Sequence, residues 1–499
     1  MAEYFISFDD ARHDLFTAAA YLSERIKSGD GHAEAMLEVV PQYLAMNNVD
    51  LAAELANTVE DPFTRDKLLT ETAEKCAAID DDEYALQLAD TIEDFGLRSQ
   101  ALERIAFQKV LKDQIGRAIE IAESMHNPDY VFASVAAKLA AEGKKEEAAE
   151  ALARIEFPSA EVSALQSMAA SEFVAGNKEE CLSLLDRAKE AAGEIEHNEE
   201  RIRTLCEIGN QYVEAGRNDL AIGAFDIAKE EATQLDNIHR DSFIAGAAMG
   251  FLHAGSIDTA DRTLDLVMDK TQMANCLLAF ARHYWEKGEK DDALEALDES
   301  YQILRSQRDI ETRDSRARYA LFVSIAAQFA GFEKSERAIE IAQEIDDEGH
   351  RTSALSQIAS VLTMRRDDEE ARHALNAIAD DADRAFAVIG MSDVKEKIGD
   401  HSEGIAMLDE AAHLVEAVPQ LSSRSTVYNE IARRYAEFGE GEKAALVCKI
   451  NLETISAIRD ESRRAVCLAH LAFTGQQAGL DLAEAEGSLL ESILTRTAH

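Results

Sequence analysis

The sequence predicts an all-α protein built as a solenoid of about 13 antiparallel helix pairs, and three observations predict it. A phrase of small and turn-forming residues returns at a nearly fixed spacing through the 499 residues. Ala, Leu and Glu, strong helix formers, are abundant, and no period-two apolar alternation marks a strand. Only five prolines occur, and four of them fall in the gaps that the spacing leaves between helix pairs.

The repeat comes first, because each unit of such an array contacts only its neighbours and length says little about domain count. The phrase is a small residue, a Gly seven positions later and an Ala five after that, as in Gly209, Gly216 and Ala221 or Ala432, Gly439 and Ala444. Fixing on its last member gives anchors at Ala52, Ala85, Ala118, Ala148, Cys181, Ala221, Ala260, Ala293, Ala338, Ala371, Gly404, Ala444 and Glu484. The step from one anchor to the next is 33 six times, 30 once, 45 once and 39 or 40 four times. Twelve before the anchor stand Val40, Ala73, Ala106, Ala136, Ala169, Gly209, Ala248, Ala281, Ala326, Ala359, Ser392, Ala432 and Ala472. All but Val40 are Ala, Gly or Ser, as close approach of neighbouring helix backbones requires.

Each element of the pair has its own signal. The first helix must stop five before the anchor, where eight of the thirteen residues are Gly, the residue that accepts a left-handed C-cap. The second helix opens with carboxylates beside the positive end of its dipole: Asp81-Asp82-Glu83, Glu146-Glu147, Glu179-Glu180, Asp291-Asp292 and Asp367-Asp368-Glu369-Glu370. Pro62, Pro128, Pro158 and Pro419 lie in the links before first helices, whereas Pro41 lies within one and predicts a kink. The longer steps, ending at Ala221, Ala260, Ala338, Ala444 and Glu484, predict longer second helices or connections, with residues 301–318 the largest extension. One solenoid over 1–499 follows, with short repeats at 1–157, longer ones at 158–330, short ones at 331–403, and longer ones with a cap at 404–499.

The unit Gly209, Tyr212, Gly216, Ala221, Phe225 and Ala228 resembles the tetratricopeptide repeat throughout, and Ala281, Tyr284, Gly288, Ala293 and Leu297 resemble it nearly as well. The resemblance covers roughly residues 30 to 495 and implies a right-handed superhelix whose first helices line a concave face. Many units depart from the pattern. They are slightly shorter than the family's unit and carry Val59, Ile92, Ile155, Ile345 or Ile378 where the family prefers Ala, which a shortened second helix would explain.

A further signature is particular to this chain. Twenty before the anchor stand Arg65, Arg98, Arg201, Arg240, Arg318, Arg351, Arg384, Arg424 and Arg464. In seven of these units an Asp precedes by four: Asp61, Asp94, Asp236, Asp314, Asp347, Asp380 and Asp460. The Asp reads as a helix N-cap and the Arg as its ion-pair partner one turn on, an architectural device.

Composition and charge exclude several function classes. The formal charge is −45, which repels nucleic acid, and no basic run interleaved with aromatics offsets it. The same field suits either a solvated surface in a salt-rich cytoplasm or association with a basic partner that weakens with salt. No apolar stretch predicts membrane insertion, and Met1–Asp10 lacks the basic start of a signal peptide. The six cysteines are scattered and read as reduced core thiols, which together place the protein in the cytoplasm. Phosphate-binding, zinc-protease and serine-hydrolase motifs are missing, and the histidines lack partners at metal-ligand spacing. The expectation is therefore a protein without catalytic residues, metal or cofactor.

If the family geometry applies, the concave face holds the residues 18, 15, 11 and 8 before each anchor. Most are apolar or small, such as Phe107, Ala137, Phe173, Met249 and Phe473. The candidates for gripping a peptide are Arg203, Asn210, Asn275, Arg282 and Trp285 in the middle, and Asn429 with Arg433 near the end. The family's two-carboxylate clamp is not expected, since Cys206 stands where its Lys should be. The sequence thus predicts a scaffold that binds a protein segment along the first-helix face. Its alternatives are a solenoid that self-assembles through its ends or edges into a homo-oligomer or filament, the last unit being apolar for a cap (Leu482, Leu489, Leu490, Ile493, Leu494), and a small-molecule or peptide sensor.

Overall fold

The computed structural model describes residues 4–307 and 315–496, and among these the chain forms 28 helices and no strand. Two compact units divide it, one of Met1–Ala101 with Arg351–His499 and one of Leu102–His350. Helices α1 (Phe8–Ala11) and α2 (Leu15–Ser23) precede an alternating series of first and second helices. The series starts with α3 (Gly29–Ala45), α4 (Val49–Asn57), α5 (Pro62–Ala78), α6 (Asp82–Thr91) and α7 (Phe95–Leu111). It continues with α8 (Ile115–Ser124), α9 (Asp129–Ala141), α10 (Lys145–Leu152), α11 (Pro158–Val174), α12 (Lys178–Ala192), α13 (Asn198–Glu214) and α14 (Asn218–Thr233). Next come α15 (Arg240–His253), α16 (Ile257–Leu264), α17 (Lys270–Lys287), α18 (Lys290–Ser306), α19 (Ser315–Gly331), α20 (Ser335–Gln343) and α21 (Glu348–Met364). The last are α22 (Asp368–Asn376), α23 (Asp381–Lys397), α24 (His401–Val415), α25 (Leu421–Glu437), α26 (Gly441–Ala457), α27 (Glu461–Gln477) and α28 (Glu484–Thr495).

The repeat register explains why helices stop where they do. All thirteen residues five before an anchor have positive φ, between 59° and 85°, and no other described residue does. Eight are Gly, but Asn47, Asp80, Asp113, Glu333 and Arg366 adopt the same left-handed geometry against their Cβ atoms. The positions twelve before the anchor are all buried. Gly209 shows why size matters there: an added Cβ would lie 2.4 Å from the Phe225 ring, and Gly250 meets the same ring at 2.4 Å. Phe225 is fully buried between these two glycines.

Most first helices have 17 residues, so the variable step length resides in the second helices. Where the next anchor follows closely they are short, 8 residues in α10 and 9 in α20 and α22. Where it follows at the longer steps they are long, 15 in α12 and α24, 16 in α14 and 17 in α18 and α26. The stretch 158–330 is mixed, because α16 in its middle has only 8 residues. Within 301–318, α18 runs to Ser306 and α19 starts at Ser315; Asp314 lies outside the described residues. Pro62 and Pro158 occupy the first turns of α5 and α11, and α3 runs helically through Pro41.

The Asp–Arg signature divides into two roles. Asp61, Asp380 and Asp460 are N-caps, and Asp94 and Asp347 accept from backbone N–H groups three residues on, whereas Asp236 lies four residues outside α15 and caps nothing. At Arg65, Arg98, Arg240, Arg384 and Arg464 partners other than that Asp are found. After α12, α24 and α26 the guanidinium donates to carbonyls at the preceding helix end: Arg201 to Ile195, Arg424 to Val418 and Arg464 to Ile458, each six residues back; after α14, Arg240 pairs with Asp241 instead. Those carbonyls have no helical partner of their own, which the guanidinium supplies; of the three Arg only Arg464 has an Asp, Asp460, four residues before it. After the short α4 and α6 the Arg meets carboxylates, Arg65 meeting Asp66 and Glu93, and Arg98 meeting Asp90.

A second device has no counterpart in the sequence pattern above. Asp66, Asp129 and Asp241, nineteen before their anchors, each accept two backbone N–H bonds from the start of the next unit. Asp66 Oδ2 takes those of Glu93 and Asp94, Asp129 those of Glu156 and Phe157, and Asp241 those of Met268 and Asp269. All three units have second helices of 8 to 10 residues.

In the first unit the chain's beginning and end pack together: α27 lies against α2 and α3, and α28 against α2. Ser462 Oγ donates to the Gly31 carbonyl at 3.1 Å, and His470 Nε2 lies 2.9 Å from Glu38 Oε2. This corrects the reading of the C-terminal unit as an uncovered apolar end, since Leu490, Ile493 and Leu494 are fully buried. The anchor assigned to Glu484 is also displaced. Glu484 is exposed as the first residue of α28, because the link from Gly479 to Ala483 is longer than elsewhere.

Candidate partner-binding face

The first helices of the second unit carry most of the predicted site. Arg203 and Asn210 stand two turns apart on α13, and Asn275 and Arg282 repeat that spacing on α17 with Trp285 nearly a turn further. α15 packs against both α13 and α17, so the two sets occupy one helix face without converging on one point. Ser242 and Met249 hold the equivalent places on α15.

Three of these side chains are available. Arg203, Asn210 and Asn275 are exposed and make no hydrogen bond or ion pair with the described residues. Arg203 borders an open hollow of about 560 Å³ with Glu196, Glu199, Glu200 and Asn237. Cys206, one turn from Arg203, is a free thiol whose pKa burial pushes up to about 12, which leaves it unreactive at neutral pH.

The other predicted residues are committed elsewhere. Arg282 donates to Gln328 Oε1 at 2.7 Å on α19. Trp285 stacks on Phe332, with ring centres 4.2 Å apart and planes within 11°, and Lys290 Nζ lies 4.6 Å from its centre. An indole face clamped this way is structural, so Trp285 is removed as an anchor. In the first unit Arg433 pairs with Glu430 at 2.7 Å and Glu437 at 2.9 Å along its own helix. Asn429 is only 9% exposed and its Oδ1 is buried without a partner, so it does not present itself to a ligand. Arg433 thus finds its carboxylates on its own helix, at i−3 and i+4.

Sequence reasoning missed a cavity in the second unit. It measures about 340 Å³ and is bordered by Lys145, Ala148, Leu152, Met168, Glu172, Leu184 and Arg187. A signal was present: Glu172 stands nine before its anchor, where Tyr43, Tyr212, Phe251, Phe329 and Tyr435 are buried rings. Among the described residues no group of His, Cys, Asp and Glu is arranged to hold a metal ion, and no helix is long and apolar enough to cross a membrane. All six cysteines are free, five of them buried.

The thirteenfold left-handed register, the small buried contacts and the helix pairs define a tetratricopeptide-like helical-repeat protein. No protein-family model and no curated protein matches the chain. Among solved structures it is similar to the Ton1535 protein of Thermococcus onnurineus NA1, at 19% identity over 65% of this chain and 98% of that one, with a TM-score of 0.26. It is also similar to a signal-transduction ATPase with a tetratricopeptide repeat sensor from Pyrococcus horikoshii, at 14% identity over 73% of this chain and 64% of that one, with a TM-score of 0.25. The apo quorum sensor NprR of B. thuringiensis shows 13% identity over 78% of this chain and 97% of that one, with a TM-score of 0.26.

Proposed function

We propose that this chain is a non-catalytic scaffold that holds an extended segment of a partner protein across the first helices of its second unit. The observation that carries this reading is the trio of exposed, unpaired side chains Arg203, Asn210 and Asn275 on α13 and α17. Spread along one face with α15 between them, they suit successive contacts to a peptide backbone or carboxylate better than a single reacting atom. The net charge of −45 favours a partner whose remaining surface is basic, with binding that falls as salt rises.

A photo-crosslinking residue placed singly at Asn210, Asn275 and, as a control, half-exposed Ile227 on α14 tests this in native lysate. The same partner should be captured from positions 210 and 275 but not 227, and Arg203→Glu should abolish capture. Equal labelling from all three positions would refute the assignment of this face.

A further inference from the structure

The cavity beside Glu172 has a shape history written in the repeat itself. In the unit that follows, Tyr212 fills the corresponding place: its ring is fully buried and its hydroxyl donates to Asp186, 26 residues earlier on α12. Tyr435 does the same in the first unit, donating to Asp409 at 2.6 Å, again 26 residues earlier. The walls also correspond. Ala148 stands 24 before Glu172 and borders the cavity, while Ala188 and Ala411 stand 24 before Tyr212 and Tyr435 and are fully buried. Glu180 stands eight after Glu172, as Lys443, 5.3 Å from the Tyr435 ring centre, stands eight after Tyr435. The cavity is thus the seat of an aromatic ring whose own residue is a half-buried carboxylate.

We infer that this seat takes the ring of a tyrosine from a partner peptide with basic neighbours. The ring is argued from the correspondence above and from the apolar floor of Ala148, Ala149, Leu152, Met168 and Leu184. The hydroxyl is argued from Glu172. Its Oε2 accepts from Asn177 at 2.6 Å, its Oε1 has no partner among the described residues, and a carboxylate acceptor is what Tyr212 and Tyr435 use in their own seats. The basic flanks follow from the rim. Glu161, Glu172 and Glu180 face only Lys145 and Arg187, and Lys145 already lies 3.7 Å from Glu180. A peptide, as distinct from a free phenol, is favoured by the wider hollow of about 700 Å³ that shares Ala140, Lys145 and Glu172 with the seat. That hollow presents Ala141, Ala170, Ala175 and Val174, the last 87% exposed, as a floor for flanking chain. The seat shares no residue with the trio Arg203, Asn210 and Asn275 and stands or falls independently of the scaffold reading.

Ligand-observed saturation-transfer NMR on the full chain, with the tripeptides Lys-Tyr-Lys and Lys-Ala-Lys as probes, tests the assignment. The tyrosine ring protons should receive saturation, and Lys-Tyr-Lys should bind about tenfold or more tighter than Lys-Ala-Lys, in keeping with a buried aromatic anchor. Glu172→Phe should fill the seat from within, raise the melting temperature and remove the preference. Ala148→Leu, which narrows the seat from the opposite wall, should also remove it. Equal binding of the two peptides, unchanged preference in Glu172→Phe, or a melting temperature lowered by that variant would each overturn the proposal.

Discussion

Units with short second helices and units with long ones fasten the next unit by different chemistry. Where the second helix is long, as in α12, α24 and α26, the following first helix reaches back to it. Tyr212 and Tyr435 donate to Asp186 and Asp409, and Arg201, Arg424 and Arg464 close the carbonyls at its end. Where it is short, as in α6, α10 and α16, the link returns early and passes the start of the unit's own first helix. There a buried or half-buried Asp at position 66, 129 or 241 collects two of the link's N–H groups. At these six junctions second-helix length goes with which orphaned groups are satisfied, those of the link after α6, α10 and α16 and those of the helix end after α12, α24 and α26. The contrast also shows where strain is tolerated: all five non-glycine left-handed residues close first helices followed by short second helices.

The largest effect should come from removing a link acceptor. Asp129 is 4% exposed, so Asp129→Ala strands two N–H groups and should cost about 2–4 kcal/mol in urea unfolding, with faster amide exchange at Glu156 and Phe157. Tyr212→Phe, which leaves a solvated carboxylate, should cost about 1 kcal/mol. If the two cost the same, the distinction between the junctions is lost.

Next is the sandwich of Phe225. Gly209→Ala or Gly250→Ala should destabilise by about 1–3 kcal/mol through overpacking, and Phe225→Leu should relieve most of either. An additive double mutant would show that the ring is not what enforces the glycines.

A smaller and opposite change is expected at the strained C-caps. Glu333→Gly and Arg366→Gly should each stabilise by about 0.5–1 kcal/mol, measured as a rise in melting temperature. No gain would mean that short units relieve the strain in a way that long units do not.

The smallest effect concerns Glu38, whose carboxyl is held below its usual value of 4.5 by the hydrogen bond to His470. A depressed acid contributes stability above its unfolded pKa and loses it as pH falls through the folded one. The melting-temperature advantage of the native chain over Glu38→Gln should therefore be full near pH 6 and shrink below about 4.5. An advantage independent of pH would remove the ionic contribution.

The parts of this architecture that repeat are legible in the sequence. The spacing locates the left-handed residue even at Glu333 and Arg366, where composition points elsewhere, because a helix pair must turn at a set distance from its close contact. Partners of long side chains are less legible. The pattern pairs seven of the nine signature Arg residues with an Asp one turn away, but the carbonyl that Arg464 caps depends on where the previous helix ends. Arg433 looks like a groove residue until its helix places Glu430 and Glu437 around it. Glu172 carries its signal as a departure from the register, and only the cavity shows that nothing else fills the seat.

The packing of α27 on α2 and α3 has a kinetic consequence. Ser462 and Gly31 are 431 residues apart, so in the unfolded chain their contact closes a loop far longer than the step between neighbouring units. Loop entropy grows with the logarithm of length, which sets this closure about 2 kcal/mol above a neighbour contact. Units in between can form in any order, as in other arrays, but the first and last helices mature together and late. A truncation at either terminus therefore unseats its distant counterpart as well as its neighbour.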